Sequence, residues 1–230
     1  PVIGLVDDPA AAKQYPLFLS LRRGHAAIFG APGSGKTTAV RTLAVSLLSA
    51  YSPRHLHLYI MDLGGRNLNL LSNFPQVGAV ISPEEEGYRE RVQQLIHDLV
   101  EEMNVRRLRL AQAKMADVYE YNAAHSDDPI HIIVVLLDNF TEFRESFGDS
   151  KDNVETVLDK MTVLMRSSRT YGIHFVLTAT QPGLFSNQLY NLCTERIALR
   201  MTDASLYRDV VGQSVIQFGS ISGRGYTQIG

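Results

Sequence analysis

Residues 30–37, Gly-Ala-Pro-Gly-Ser-Gly-Lys-Thr, constrain the fold more than any other stretch of this chain. They match the pattern GxxxxGK[ST] at every fixed position, follow the apolar run 26–29, and precede a helix-like spacing of apolar residues over 40–48. A loop that surrounds a polyphosphate must direct several backbone N–H groups inward, and glycine adopts the required positive φ angles at low cost. The order of strand, loop and helix therefore predicts a phosphate-binding loop.

The residue types of this loop predict how it binds its ligand, which we expect to be ATP with Mg²⁺. The Lys36 ammonium should reach the β- and γ-phosphates, and the Thr37 hydroxyl should bind Mg²⁺. The alternative is a glycine-rich turn that binds nothing, but the position between a strand and a helix argues against it. The predicted nucleotide-binding residues are Gly30, Pro32, Gly33, Ser34, Gly35, Lys36, Thr37 and Thr38.

Length and composition place few limits on function. A chain of 230 residues with 45% hydrophobic content can bury a sizeable core, and we expect residues 1–230 to form one domain. The net charge of −2 gives no overall electrostatic case for nucleic acid. The single Cys193 excludes an internal disulfide, and no histidine or cysteine spacing suggests a metal site. Because the chain starts at Pro1 rather than Met, we expect it to be a piece of a longer, multi-module protein.

The order of the apolar runs predicts an α/β fold with a mostly parallel central sheet flanked by helices. Strands are predicted over 26–29, 56–61, 77–81, 131–137, 173–181, 196–201 and 225–229, with 131–137 as the central strand. Helices are predicted from the loop to 50, from a capping box at Ser82 to about 115, and over 154–165 and 204–211. Residues 1–24 should form an edge strand or extended arm.

Polar residues gather at the carboxyl ends of several of these strands, where open α/β sheets bind ligands. They are Asp62, Asp138, Thr178, Thr180 and Gln181. Asp138 ends the most hydrophobic run and suits a Walker B aspartate, which holds Mg²⁺ or accepts from a water bound to it. The predicted metal ligands are therefore Thr37 and Asp138.

A basic cluster, defined as Arg106, Arg107, Arg109 and Lys114, is predicted on the outer face of the long helix. A solvated helix face is the simpler interpretation. Contact with nucleic acid or with an acidic partner is the alternative.

Several separate segments resemble one family, the FtsK/SpoIIIE-type ATPases, and most of all an ATPase module of the EccC/EssC motor of type VII secretion systems. The resemblance covers nearly the whole chain, and its matches occur in the family's order. They are residues 3–9, 30–37, 58–62 with Gly64 and Gly65, 74–78, 171–181 and 196–200, with 223–225 resembling the family's end signature.

The resemblance implies a RecA-like P-loop NTPase module that works beside others, each ATP lying where a neighbour's arginine completes the site. Arg169 matches the family's arginine before the 171–181 segment and is the first candidate to complete a neighbour's site, with Arg166 second. The alternative interpretation is that Arg169 only interacts favourably with the dipole at the C-terminal end of its helix. The implied partners are neighbouring ATPase modules and secreted protein substrates. The implied location is the cytoplasmic part of a membrane-anchored bacterial protein, whose membrane contacts lie outside this chain.

The chain departs from the family after Asp138. Active members have a glutamate there to polarise the attacking water, whereas Asn139 cannot take a proton. The catalytic candidates are Asp138, Asn139, Gln181 and Arg169, with Asp62 or Glu142 as substitute bases. We therefore expect weak or absent hydrolysis, and the departure favours a second or third module of a type VII motor.

Three functions compete on this basis. The leading hypothesis is an ATP-binding module of a secretion motor, with nucleotide at an inter-module interface coupling or regulating export. The alternative is a hydrolysing translocase for double-stranded DNA, which Asn139 and the near-neutral charge disfavour. A nucleotide-free interaction module is the third, and the intact Lys36 and Thr37 argue against it.

Overall fold

The computed structural model describes residues 1–8, 11–65, 67–149, 155–212, 215 and 221–227. The strands in this part of the chain are β1 (Val2–Asp8), β2 (Lys13–Phe18), β3 (His25–Phe29), β4 (Leu56–Asp62), β5 (Val77–Ile81), β6 (Ile132–Asp138), β7 (Ile173–Ala179), β8 (Cys193–Leu199) and β9 (Gly225–Thr227). The α-helices are α1 (Lys36–Ala50), α2 (Tyr88–Ala113), α3 (Val118–Ala124), α4 (Phe140–Phe147), α5 (Val157–Ser168), α6 (Asn187–Leu192) and α7 (Ser205–Val211).

Seven strands form one sheet in the order β5-β4-β6-β7-β3-β8-β9. Every pair is parallel except β8 with β9. The predicted α/β fold with a mostly parallel sheet is therefore confirmed. The prediction that β6 is the central strand is wrong by one position, since β7 lies in the middle; both strands are buried on both faces, so hydrophobicity alone cannot separate them.

The sheet separates two apolar layers because successive side chains of a strand point to opposite faces. One layer packs against α1 and includes Ile28, Ile60, Leu136 and Val176. The other packs against α2, α4, α5 and α7 and includes Phe29, Met61, Leu137 and Leu177. Within the described ranges, no helix combines the length and the apolar character needed to cross a bilayer.

The first 24 residues contain neither the edge strand nor the extended arm that the sequence predicts, but a hairpin. β1 and β2 pair with each other in a separate antiparallel sheet and do not join the seven-stranded one. This hairpin packs on α1 through Ile3 and Leu17, while Phe18 remains 64% exposed. Pro16 cannot donate to a ladder, which suits a short two-stranded sheet better than an edge of the main sheet.

The predicted capping box at Ser82 is also wrong, since α2 begins at Tyr88. The Ser82 hydroxyl donates to the Glu84 carboxylate instead of accepting from a helix N–H. Residues 83–87 form turns, and Gly87 has a φ of +72°, a left-handed conformation that interrupts any helix before Tyr88.

Part of the basic cluster is misplaced as well. Arg106 is 1% exposed, because it continues the apolar stripe of α2 between Leu99 and Leu110. Its guanidinium bonds the Glu102 carboxylate at 2.8 Å and the Tyr171 carbonyl at 2.8 Å. The outer-face prediction fails for this residue, since a buried and paired arginine is not available to a partner.

Three short helices, α3, α4 and α6, were not predicted. Their lengths of 7, 8 and 6 residues give too few apolar positions to establish a period. Two of them nevertheless carry N-caps in the sequence, since Asp117 caps α3 and Ser186 caps α6. The predicted helix over 154–165 and strand over 225–229 are present as α5 and β9, but Val154 and Ile229 lie outside the described residues.

Candidate nucleotide-binding site

Three oxygen-bearing side chains lie side by side at the carboxyl ends of neighbouring strands. Asp62 and Asp138 are directly paired in the register of β4 and β6, and Thr178 of β7 donates its hydroxyl to Asp138 Oδ1 at 2.6 Å. Their positions continue the alternation that directs side chains to the α1 face of the sheet. The row therefore lies beneath the N-terminal end of α1.

Asp138 connects the sheet to α1. The Thr37 hydroxyl donates to Asp138 Oδ2 at 2.6 Å, and the Asp138 side chain is 2% exposed. A Cβ added at Gly64 would lie 3.0 Å from the same oxygen, so a larger residue in the turn after β4 would press on the Asp138 carboxylate. The two predicted metal ligands, Thr37 and Asp138, are thus brought into direct contact.

The chemistry of this pair fits Mg²⁺. Magnesium prefers oxygen ligands and is usually held by one or two carboxylates together with substrate phosphates and water. Thr37 supplies a hydroxyl oxygen and Asp138 a carboxylate at the mouth of a phosphate loop. With the ion bound, these residues would hold it, and its charge would neutralise part of the phosphate charge.

The phosphate loop has the backbone that its sequence requires. Gly35 has a φ of +102° and directly precedes α1, a helix of 15 residues whose N-terminus favours anions. At Gly30 an added Cβ would lie 2.4 Å from the Ser34 hydroxyl oxygen, so the loop closes on itself only with glycine there. The Ser34 hydroxyl is buried and has no hydrogen-bond partner in the described part of the chain.

Lys36 is bonded within the loop. Its ammonium donates to the carbonyls of Gly30 at 2.6 Å and Ala31 at 3.1 Å. Burial lowers the pKa of Lys36, and the nearby Asp138 carboxylate opposes this shift. A phosphate would offer this cation a charged acceptor in place of neutral carbonyls, so that each hydrogen bond would also be an ion pair.

The segment around Gly223 reaches the same loop. The Gly223 N–H donates to the Ser34 carbonyl at 2.9 Å, and a Cβ added at Gly35 would lie 3.0 Å from the Gly223 nitrogen. The segment 223–225, which resembles the family's end signature, therefore packs against the phosphate loop. The spacing of its two glycines is visible in the sequence, but that spacing does not predict where in the fold the segment lies.

Asn139 has a structural role that the sequence did not reveal. It adopts a left-handed φ of +71° between β6 and α4, a conformation that asparagine tolerates better than most residues. Its backbone N–H donates to the Thr178 hydroxyl, and its side-chain amide donates to the Leu63 carbonyl at 3.2 Å. Neither contact provides a base.

Of the two substitute bases, Asp62 is the better placed. Its Oδ2 accepts from the Leu68 N–H at 2.7 Å, while its Oδ1 is buried without a hydrogen-bond partner in the described residues. Burial raises the pKa of Asp62; the Leu68 N–H opposes this shift, and the neighbouring Asp138 carboxylate adds to it. The Glu142 carboxylate instead accepts from Ser146 of its own helix.

Of the remaining predicted site residues, Thr38 lies in the first turn of α1, and Thr180 and Gln181 directly follow Ala179, whose carbonyl accepts from the Gly30 N–H of the phosphate loop; the two arginines lie elsewhere. Thr38 and Gln181 are exposed, and Thr180, just beyond β7, is half-buried. Arg169 is exposed at the amino end of β7, the edge opposite the phosphate loop, where it donates to the Arg23 carbonyl at 2.6 Å. Arg166, one turn earlier, is also exposed. Any role of Arg169 or Arg166 in completing a neighbour's site stays a prediction.

One residue of the site was missed. Arg200 follows β8 and donates from Nη2 to the Pro32 carbonyl at 3.2 Å. Its position just after a buried parallel strand was the available signal, because Asp62 and Asp138 were identified by the same criterion.

The phosphate loop between β3 and α1, with a carboxylate from β6 against its threonine, defines a P-loop protein of the RecA-like ATPase class. The FtsK/SpoIIIE family profile matches residues 4–220, so the chain belongs to the FtsK/SpoIIIE family.

Within that family the chain is similar to type VII secretion proteins. It is 31% identical over 223 residues to the ESX secretion system protein EccC of Geobacillus thermodenitrificans, an alignment covering 96% of this chain and 14% of that protein. The chain thus spans about a seventh of the length of these relatives.

Two solved structures have the same fold over nearly the whole chain. EssC of G. thermodenitrificans (ATPases 2 and 3) gives a TM-score of 0.86 at 29% identity, covering 98% of this chain and 42% of that one. EccC of Thermomonospora curvata (ATPases 2 and 3), in complex with a signal sequence peptide, gives 0.85 at 25% identity, covering 100% and 41%.

Proposed function

We propose that this chain is an ATP-binding module of a type VII secretion motor. The observation that carries the proposal is the contact of Thr37 with Asp138 beside an intact phosphate loop, in a chain similar over nearly its full length to ATPases 2 and 3 of EccC and EssC. In this account the loop and Lys36 bind the phosphates, and Thr37 with Asp138 holds Mg²⁺.

Hydrolysis by the isolated module is expected to be slow. Asn139 offers no base, and the best-placed substitute is Asp62, whose Oδ1 is buried without a hydrogen-bond partner in the described residues. A neighbour's arginine, which in P-loop enzymes contributes roughly 10³–10⁵ in rate, is missing from a single module. Bound nucleotide would then stabilise an inter-module interface or regulate it.

The proposed partners are neighbouring ATPase modules and the signal sequences of exported proteins. Support for the first comes from relatives whose structures contain ATPases 2 and 3 together, and for the second from the relative in complex with a signal sequence peptide. We place the module on the cytoplasmic side of a membrane-anchored bacterial protein, with the membrane-spanning part elsewhere in that protein.

A DNA translocase remains the less favoured alternative. In the basic cluster, Arg106 is buried and Arg109 is bonded to the Asp128 carboxylate at 2.6 Å. Non-specific DNA binding needs several phosphate contacts from available cations.

The experiment that tests the secretion role uses the complete parent protein in its own cell. Lys36→Ala should reduce export of the system's substrate proteins into the medium while the protein is produced and localised normally, and Lys13→Ala on the exposed strand β2 is the matched control. Unchanged export with Lys36→Ala would contradict a role for nucleotide at this module.

A further inference from the structure

Two cations lie along the same phosphate loop and bind successive carbonyls of it. Lys36 Nζ donates to the Gly30 and Ala31 carbonyls, and Arg200 Nη2 donates to the next one, that of Pro32, at 3.2 Å. Because Lys36 is the cation expected at the β- and γ-phosphates, Arg200 lies at the same end of a bound triphosphate.

The backbone fixes Arg200 in this place. β8 pairs with β3 in parallel register as far as Phe29 and Ala198, and the Ala31 N–H then donates to the Arg200 carbonyl at 2.8 Å. On the loop itself, a Cβ added at Gly33 would lie 3.9 Å from Arg200 Nη2. The guanidinium is therefore positioned by the sheet.

Arg200 has unused capacity for an anion. Among the described residues it forms no ion pair with a carboxylate, and only Nη2 has a protein acceptor. A guanidinium has five N–H donors in a planar fork that matches phosphate oxygens. The Arg200 residue is half-buried, so solvent and ligand can reach it.

We propose that Arg200 is a second phosphate-binding cation, which acts in cis on the terminal phosphate of the ATP bound by its own loop. This inference deepens the proposed function and rests on it. It differs from the role predicted for Arg169, which lies at the opposite edge of the sheet and would act on a neighbour's nucleotide. Exchanging the neutral Pro32 carbonyl for a charged phosphate strengthens the Arg200 hydrogen bonds.

The consequence is selectivity for ATP over ADP in a single module. Loss of the terminal phosphate removes the acceptor of Arg200, whereas Lys36 still has the β-phosphate. Arg200 should therefore contribute to ATP affinity and little to ADP affinity.

The test is calorimetric titration of the chain with ATP and with ADP, each with Mg²⁺, in five proteins: the parent, Arg200→Gln, Arg200→Lys, Arg41→Ala and Lys36→Ala. Glutamine keeps a polar side chain at this half-buried position but is shorter and carries no charge, so folding should be kept. We expect Arg200→Gln to weaken ATP binding about tenfold to hundredfold and ADP binding less than threefold. Arg200→Lys should recover part of the ATP affinity, and Arg41→Ala, on the exposed face of α1, should change neither.

Equal losses for ATP and ADP, accompanied by a lower Tm, would overturn the proposal and assign Arg200 only to support of the loop. Unchanged ATP affinity in Arg200→Gln would overturn it as well. A failure of the proposed function is distinguishable, because Lys36→Ala measured in the same series would then bind ATP as the parent does.

Discussion

Acid should destabilise this protein through His25, the first residue of the strand that leads into the phosphate loop. The imidazole is 1% exposed and is bonded at both nitrogens: Nδ1 accepts from the Phe175 N–H at 3.1 Å, so Nε2 donates to the Met165 carbonyl at 2.7 Å. Protonation of Nδ1 would set two N–H groups against each other and bury a charge. Burial accordingly lowers the pKa of His25 from 6.5 to about 4.

The size of the effect follows from this shift. A folded-state pKa below the unfolded one means that the unfolded chain binds the proton first, so stability is constant above pH 6.5 and falls as the pH drops toward 4. At about 1.36 kcal/mol per pKa unit, His25 costs roughly 2 kcal/mol at pH 5 and about 3 kcal/mol well below pH 4.

The assay is urea unfolding at pH 8 and pH 5 of the parent and of His25→Phe. The variant leaves the Phe175 N–H and the Met165 carbonyl unpaired, so it should be less stable at pH 8, by about 1–3 kcal/mol for each group. Its loss between pH 8 and 5 should be smaller than the parent's by about 2 kcal/mol. The comparison is needed because burial also lowers the pKa of His174 to about 3 and that of His131 to about 4.

Equal pH dependence in the two proteins would refute the reasoning. So would an NMR titration of the parent in which the His25 ring protonates near pH 6.5, a measurement that does not depend on the variant's folding.

Three further predictions concern the site and the basic cluster. The raised folded-state pKa of Asp62 gives a contribution to stability that is present below pH 3.8 and is lost as the pH rises through that pKa, opposite in sign to the contribution of His25. In denaturant unfolding, Asp62→Asn, which keeps an acceptor for the Leu68 N–H, should therefore gain more stability than the parent as the pH rises above 3.8; equal pH dependence would contradict the raised pKa. Asn139→Glu in the isolated module should leave steady-state ATP turnover slow, and turnover near 1 s⁻¹ in the unmodified module would show that a base is already present. In denaturant unfolding the same variant should be less stable by about 1 kcal/mol, because glutamate suits a φ of +71° less well than asparagine. Fluorescence anisotropy should detect no appreciable binding of duplex DNA at physiological salt; micromolar, salt-sensitive binding lost on neutralising Arg107 and Lys114 would favour the translocase.

The sequence predicted the sheet and the phosphate loop well because both depend on local signals. Four-to-seven-residue apolar runs with polar ends specify buried parallel strands, and glycine spacing specifies the loop. Asp62 and Asp138 were identified for the same reason, since each directly follows such a run.

What failed depends on long-range packing. Arg106 lies on a buried stripe because its charge is paired with Glu102 and the Tyr171 carbonyl, which is 65 residues away in the chain. Arg200 and Gly223 contact the loop although they lie far from it in the sequence, so the spacing of residues along the chain does not reveal these contacts. Asn139 was predicted as a catalytic candidate that lacks the family's base, whereas its structural role depends on a left-handed backbone that is visible only in the fold.

The most direct test of the account is calorimetric titration of the isolated chain with ATP and Mg²⁺, comparing the parent, Lys36→Ala and the surface control Lys13→Ala. The account predicts saturable binding by the parent and by Lys13→Ala, and severe weakening in Lys36→Ala because the cation at the β- and γ-phosphates is gone. Equal affinity of Lys36→Ala and the parent, or no binding by a folded parent, would contradict it.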